Sequence, residues 1–159
     1  MRGQQQENTM SIQGSCLCGG VAFEIDEASG PFELCHCNRC RKASGAAAMP
    51  GLTVKRAHFR FLRGEDLIRT FVAPILYAPP PYQTHFCSVC GSPVPRPHAD
   101  ADEVELAAGL LDGDPGIKPD KHIFVEHLPA WDSLTDTLPT FTLHQLVKYR
   151  RRRQQDGQT

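Results

Sequence analysis

The chain has 159 residues, of which 40% are hydrophobic and 22% charged, with a net charge of -1. That length suits one domain with its own core, and the near-neutral balance removes any bulk electrostatic argument for a nucleic-acid or anionic-membrane partner. Thirteen Gly and thirteen Pro argue for many turns and against a helical bundle, and no apolar run approaches the roughly 20 residues that span a bilayer.

Residues 1–10 are polar and Gln-rich, without the apolar stretch of a secretion signal. They are expected to be disordered, and the protein to lie in the reducing cytoplasm. After Gly19-Gly20, Val21, Phe23 and Ile25 alternate with Ala22 and Glu24, the pattern of a half-buried strand. Asn38–Ser44 is the best helix candidate, with Asn38 as its expected N-cap and Gly45 just past its end. Phe59 and Phe61 alternate around Arg60, and a turn at residues 63–66 leads into a strand over residues 67–72. Residues 74–82 contain four prolines, so they form a loop rather than a central strand, leading into a strand that carries Thr84, His85 and Phe86.

Further on, Val104, Leu106 and Ala108 alternate with Glu105 and Ala107 before the turn-rich residues 112–116, and residues 122–125 form another short strand. Residues 143–149 suit one or two helical turns. The expected organisation is a single domain over residues 11–147, mainly β and built of antiparallel sheets with little helix. A basic segment, residues 148–159, reads as a disordered tail. Its run of arginines at 150–153 is a solvated feature rather than a nucleic-acid contact. His85, His98, His122 and His127 are acid–base candidates that more often prove to be surface or satisfied residues, and Trp131 reads as a packing anchor.

The cysteines carry the chemistry. Seven cannot pair fully within one chain, and disulfides are rare in a reducing compartment. They fall in three tight clusters: Cys16-x-Cys18, Cys35-x-Cys37-x-x-Cys40 and Cys87-x-x-Cys90. Short spacings of this kind let two thiolates reach one zinc ion, and structural zinc sites commonly take four protein ligands. Cys87 and Cys90 precede Gly91, and Cys16 and Cys18 precede Gly19-Gly20, where glycine allows the chain to turn back. Together these two clusters complete a structural Cys₄ site.

Cys35, Cys37 and Cys40 remain. Three protein ligands with an open fourth position are the pattern of a catalytic zinc, which makes two zinc ions per chain with the three-cysteine one the more labile. His36 or a distant residue could instead close a second structural site, or the cluster could be metal-free and redox-active. His36, lying between two ligands, is expected to point away from the metal. Arg39, Arg41 and Lys42 favour anionic sulfur and an acidic substrate nearby.

The ordered set Gly14-Ser15-Cys16-Leu17-Cys18-Gly19, then Cys35-His36-Cys37-Asn38-Arg39-Cys40-Arg41-Lys42-Ala43-Ser44-Gly45, then Phe86-Cys87-Ser88-Val89-Cys90-Gly91-Ser92-Pro93 resembles the glutathione-dependent formaldehyde-activating enzyme family, whose cysteine domain centromere protein V shares. Gly109-Leu110-Leu111-Asp112, His122-Ile123-Phe124-Val125, Trp131 and Leu138-Pro139-Thr140-Phe141 continue the resemblance, which covers residues 12–142. It implies twisted antiparallel sheets of the β-tent type. It also implies a structural zinc on Cys16, Cys18, Cys87 and Cys90, and a catalytic zinc on Cys35, Cys37 and Cys40. The implied activity is that of a carbon–sulfur lyase acting on a small-molecule thiol and an aldehyde, joining glutathione and formaldehyde into S-(hydroxymethyl)glutathione. A non-catalytic zinc-binding interaction module and a thiol redox sensor are the alternatives. Residues 78–85 depart from the family pattern, so no glutathione-contacting residue is carried over.

Overall fold

The structure, a computed structural model, describes residues 11–76 and 78–157. The expected disorder of residues 1–10 falls outside the described residues. In chain order the elements are β1 (Ile12–Ser15), β2 (Ala22–Ile25), β3 (Phe32–Cys35), α1 (Asn38–Ser44), β4 (Met49–Lys55), β5 (Phe59–Arg63), β6 (Ile68–Val72), β7 (Gln83–Cys87), β8 (Glu103–Ala107), β9 (Lys121–Ile123), β10 (Thr140–Phe141) and α2 (Leu143–Gln155). The expected mainly-β architecture with little helix is what the chain adopts.

Three sheets result: β1-β2-β5, the five-stranded β10-β9-β3-β4-β8, and the ribbon β6-β7. Pairing between these strands is antiparallel except at β9, which runs parallel to both β3 and β10. The main core lies where the first two sheets meet. Phe23, Ile25 and Phe59 come from one sheet, and Phe32, Leu52, Val54, Val104 and Leu106 from the other. Phe23 stacks on Phe59 with ring centroids 5.5 Å apart. Apolar burial of this kind, at about 25 cal/mol per Å², is what holds the two sheets face to face.

Strand alternation then settles what the five-stranded sheet does with its other face. Phe32 pairs with Leu52 and Leu52 with Leu106, all in the core. One residue along, Glu33 pairs with Gly51 and Lys121, Cys35 with Met49 and Ile123, and Thr53 with Glu105. These residues share the opposite face, and there the sheet meets α1 and α2 instead of a second sheet.

Three expectations need correction. The N-cap of α1 is Cys37, whose Sγ accepts a hydrogen bond from the Cys40 amide, while Gly45 ends the helix in the left-handed region as expected. The segment from residue 148, read as a disordered tail, is helical as far as Gln155. A capping box between Thr142 and Gln145 starts that helix, and Leu146, 1% exposed, anchors it on Cys35, Cys40 and Ile123. Trp131 is 74% exposed and belongs to none of the core clusters, so it is not a packing anchor. Among the described residues no helix is long and apolar enough to cross a membrane.

Candidate functional site

The two cysteine groups foreseen from spacing are brought together in space. Cys16 and Cys18 follow β1, Cys87 ends β7, and Cys90 lies one turn beyond. Their four sulfurs lie within 4.8 Å of one another, with Cys16 Sγ 3.5 Å from Cys18 Sγ and Cys18 Sγ 3.9 Å from Cys87 Sγ. A metal–sulfur bond of about 2.3 Å in tetrahedral geometry sets the sulfurs about 3.8 Å apart. The donor set therefore fits a closed tetrahedral metal, and all seven cysteines are free thiols.

Local backbone supports the cluster. Gly19 (φ 71°) and Gly91 (φ 73°) take the left-handed turn that each knuckle requires, and the Val21 amide donates to Cys16 Sγ at 3.3 Å. Hydrogen bonding from Ser92, side chain first and then backbone, lowers the Cys90 pKa to about 5. Cys16 and Cys87 are buried with Val21, Ile68 and Val94 in a small second core. The cluster thus ties the end of β1 to the β6-β7 ribbon.

The second group is built differently. Cys35 ends β3 on the non-core face of its sheet, and Cys37 and Cys40 lie at and within the first turn of α1. Their three sulfurs lie within 4.8 Å of one another, and among the described residues no histidine, carboxylate or further cysteine joins them. The Cys40 amide donates to Cys37 Sγ at 3.3 Å. Hydrogen bonds from Cys35 and then Cys40 hold the Cys37 pKa far below the ordinary thiol value. The sulfurs of those two neighbours are raised, Cys35 first by Cys37 and Cys40 first by Cys35. The three sulfurs thus act strongly on one another and form a compact donor set that a cation would suit.

His36 is not part of this group. It is buried, and its Nε2 lies 2.8 Å from His122 Nδ1. His122 Nε2 in turn meets Asp136 at 3.1 Å. Of the other histidines, His85 bonds Thr70 Oγ1 at 2.9 Å in the ribbon and lies beside His98, whereas His127 lines the cysteine cavity.

That cavity, of about 390 Å³, is walled by all three cysteines. Apolar side chains from three segments complete it: Leu76 and Tyr82 from the proline-rich loop and its end, Phe124 after β9, and Leu143 at the start of α2. Its charged groups are Glu33, Glu105, Arg39 and Arg150. Tyr82 Oη lies 3.9 Å from Cys40 Sγ. Burial, followed by the charge of Cys40, raises the Tyr82 pKa, so its phenol stays protonated. Arg39 donates to the Pro74 carbonyl at 2.6 Å and lies over the Tyr82 ring, which fastens the proline-rich loop to α1. Of the cations noted beside this cluster, Arg39 faces the cavity and Arg41 is turned to Asn38.

A second cavity, of about 560 Å³, carries His85, Arg96 and His98, and shares Tyr82, Thr53 and Glu105 with the first. Sequence reasoning passed over Glu33, Tyr82, Glu105 and Arg150. For Glu33 a signal existed: it stands two residues before Cys35 in one strand and so shares its face. For Arg150 the signal was the Thr142-x-x-Gln145 capping box upstream.

The profile of the glutathione-dependent formaldehyde-activating enzyme family matches residues 11–127. A Halomonas elongata protein provisionally named a glutathione-dependent formaldehyde-activating enzyme is 30% identical over 128 residues, covering 77% of this chain and 80% of that protein. A crystal structure of a Rhodobacter sphaeroides protein superposes with a TM-score of 0.48 at 22% identity, over 64% of this chain and 89% of that one. The family match takes in all seven cysteines and most of the chain, and the chain therefore belongs to the glutathione-dependent formaldehyde-activating enzyme family.

Proposed function

We propose that this protein is a zinc-dependent enzyme of the carbon–sulfur lyase type that reversibly joins a thiol to an aldehyde, with glutathione and formaldehyde as its substrates. The observation that carries the proposal is the trio Cys35, Cys37 and Cys40, gathered on the wall of a cavity with no fourth ligand from the described residues. Membership of the family and the name of the Halomonas relative support the choice of substrates. A cytoplasmic setting suits seven unpaired thiols.

In this proposal Cys16, Cys18, Cys87 and Cys90 hold a structural zinc, and Cys35, Cys37 and Cys40 hold the catalytic one. A zinc ion bound by three cysteines supplies Lewis acidity and favours the thiolate form of an incoming thiol. The chain's own groups do the rest. Arg39 and Arg150 present positive charge to the carboxylates of an acidic thiol. The Tyr82 phenol can donate a hydrogen bond to an oxygen held beside Cys40. Leu76, Phe124 and Leu143 cover the cavity and keep the two reactants together, which turns a bimolecular encounter into an oriented one.

The test is the rate of exchange between free formaldehyde and its glutathione adduct, read by nuclear magnetic resonance with zinc-replete protein. Acceleration that disappears in Cys40→Ser supports the proposal; a rate unchanged by the wild-type protein refutes it.

A further inference from the structure

The cavity face of the five-stranded sheet carries an acid to which no role has been given. Register sets Glu33 beside Gly51 and Glu105 beside Thr53, so two carboxylates stand on one face to either side of the bare position at Gly51. They differ in their partners. Glu33 is engaged at both oxygens, with Lys121 Nζ at 3.5 Å and with Arg150, which donates to it at 2.8 Å. Glu105 makes no hydrogen bond or ion pair among the described residues, and its side chain is open to the cysteine cavity and to the larger one beside it.

Room for that carboxyl is made by the glycine. A Cβ at Gly51 would stand 3.0 Å from Glu105 Oε1, so the backbone of β4 is left bare where the acid lies. Glu105 lines the cavity that Cys35, Cys37, Cys40 and Tyr82 line, yet it does not join the sulfur cluster. A group placed in this way is no ligand; it faces whatever occupies the cavity. The charged groups acting on it are Glu33, Arg150 and Cys37. Burial and then the charge of Glu33 raise its pKa, with Arg150 opposing, and it acts in turn on Tyr82. An acid with its pKa raised in this way exchanges its proton closer to neutrality than an ordinary glutamate does.

We propose that Glu105 is the proton-transfer residue of the cysteine cavity, taking the proton of the incoming thiol and delivering it to the aldehyde oxygen as the carbon–sulfur bond forms. The step balances without a further reactant. The S–H bond breaks, the S–C bond forms, the carbonyl π pair becomes the new O–H bond, and the carboxylate ends as it began. In reverse, the carboxylate takes the hydroxyl proton and returns it to sulfur as the S–C bond breaks. The role rests on the thiol–aldehyde chemistry proposed above and adds a residue that the cysteine pattern does not reveal.

The experiment uses zinc-replete protein and two variants. Glu105→Gln removes the base, and Gly51→Ala leaves it intact but displaces it. In the exchange assay kcat of Glu105→Gln falls by about 10²-fold or more, with KM for glutathione nearly unchanged and the acid limb of the kcat profile lost. Gly51→Ala gives an intermediate fall. Independently of turnover, calorimetry in two buffers of different ionisation enthalpy counts the protons released when glutathione alone binds. The Gln variant releases more protons per glutathione than the wild type, because the carboxylate no longer captures the thiol proton. An unchanged kcat and acid limb, or equal proton release by the two proteins, overturns the assignment. A wild type that fails to accelerate exchange defeats the proposed activity, while proton release still decides whether Glu105 takes the thiol proton.

Discussion

Replacing Leu146 by alanine tests how the C-terminal helix is held to the cavity. Leu146 is the one buried residue of α2, 1% exposed, and it packs on Cys35, Cys40 and Ile123. Truncating a fully buried leucine costs about 3 kcal/mol. What else fastens the helix is weaker. The capping box contributes about 1 kcal/mol, and the exposed Arg150 paired with Glu33 contributes no more than about 1 kcal/mol. Tyr149 on Phe141 adds about 1 kcal/mol, and the Leu143 amide on Glu126 about 1 kcal/mol. Leu146 is therefore the largest single contribution, and without it α2 should open far more often while the sheets stay folded.

Hydrogen exchange followed by mass spectrometry reads this directly. Amides in residues 143–155 should exchange roughly 100-fold faster, the factor that about 3 kcal/mol implies, while those of β2 and β4 keep their protection. Leu146→Met, which conserves volume, should change little. Equal acceleration in β2 and β4 would show that the helix is part of the global unit. No acceleration in α2 would show that Leu146 is not its anchor.

The two cysteine groups should separate under the same treatment. Titration with a mild chelator should release metal in two phases, the three-cysteine group first because it supplies one fewer thiolate; a single phase contradicts the division. Cys87→Ser, at a position 0% exposed in the second core, should lower the Tm by several degrees, whereas Cys40→Ser should leave the Tm close to wild type and remove exchange activity. The reverse pattern would exchange the two roles. Glu24 tests the acid side of stability: hydrogen bonds from Ser11 and then Arg60 hold its pKa below the ordinary 4.5. Its stabilising contribution is complete above that value and fades as pH falls through the lowered one. Glu24→Gln should therefore flatten the loss of Tm on acidification below pH 4.5, and an identical acid profile in the variant would refute the link.

Much of this molecule was legible from its residues, and the illegible parts share a cause. The cysteine groups could be read because ligand spacing is a local property, and folding then had only to bring the marked pieces together. Alternation gave the strands around Phe23, Phe59 and Leu106, since each has one face in the main core. It failed at β4, which opens Met49-Pro50-Gly51 and so carries the marks of a turn, yet is placed by its pairing with β3 and β8. The arginines of α2 hid a helix whose order comes from Thr142, Gln145 and Leu146 upstream. Glu105 shows the deeper limit. A polar residue between Val104 and Leu106 reads as facing solvent, and a two-residue period cannot distinguish solvent from a cavity.

The sheet register explains why one small domain can carry two cysteine groups without confusing them. The four-cysteine group joins β1 to the β6-β7 ribbon, two pieces that no strand pairing links, so a metal there would replace missing ladder contacts. The three-cysteine group begins on β3, a strand already paired on both sides by β4 and β9. Its sheet is complete without a metal, and the cavity face is relieved of any duty to the main core. That face can therefore hold unpaired thiols, a bare glycine and an acid without a partner. All three are poor choices for a core, and all three are useful where a thiol, an aldehyde and a proton must meet.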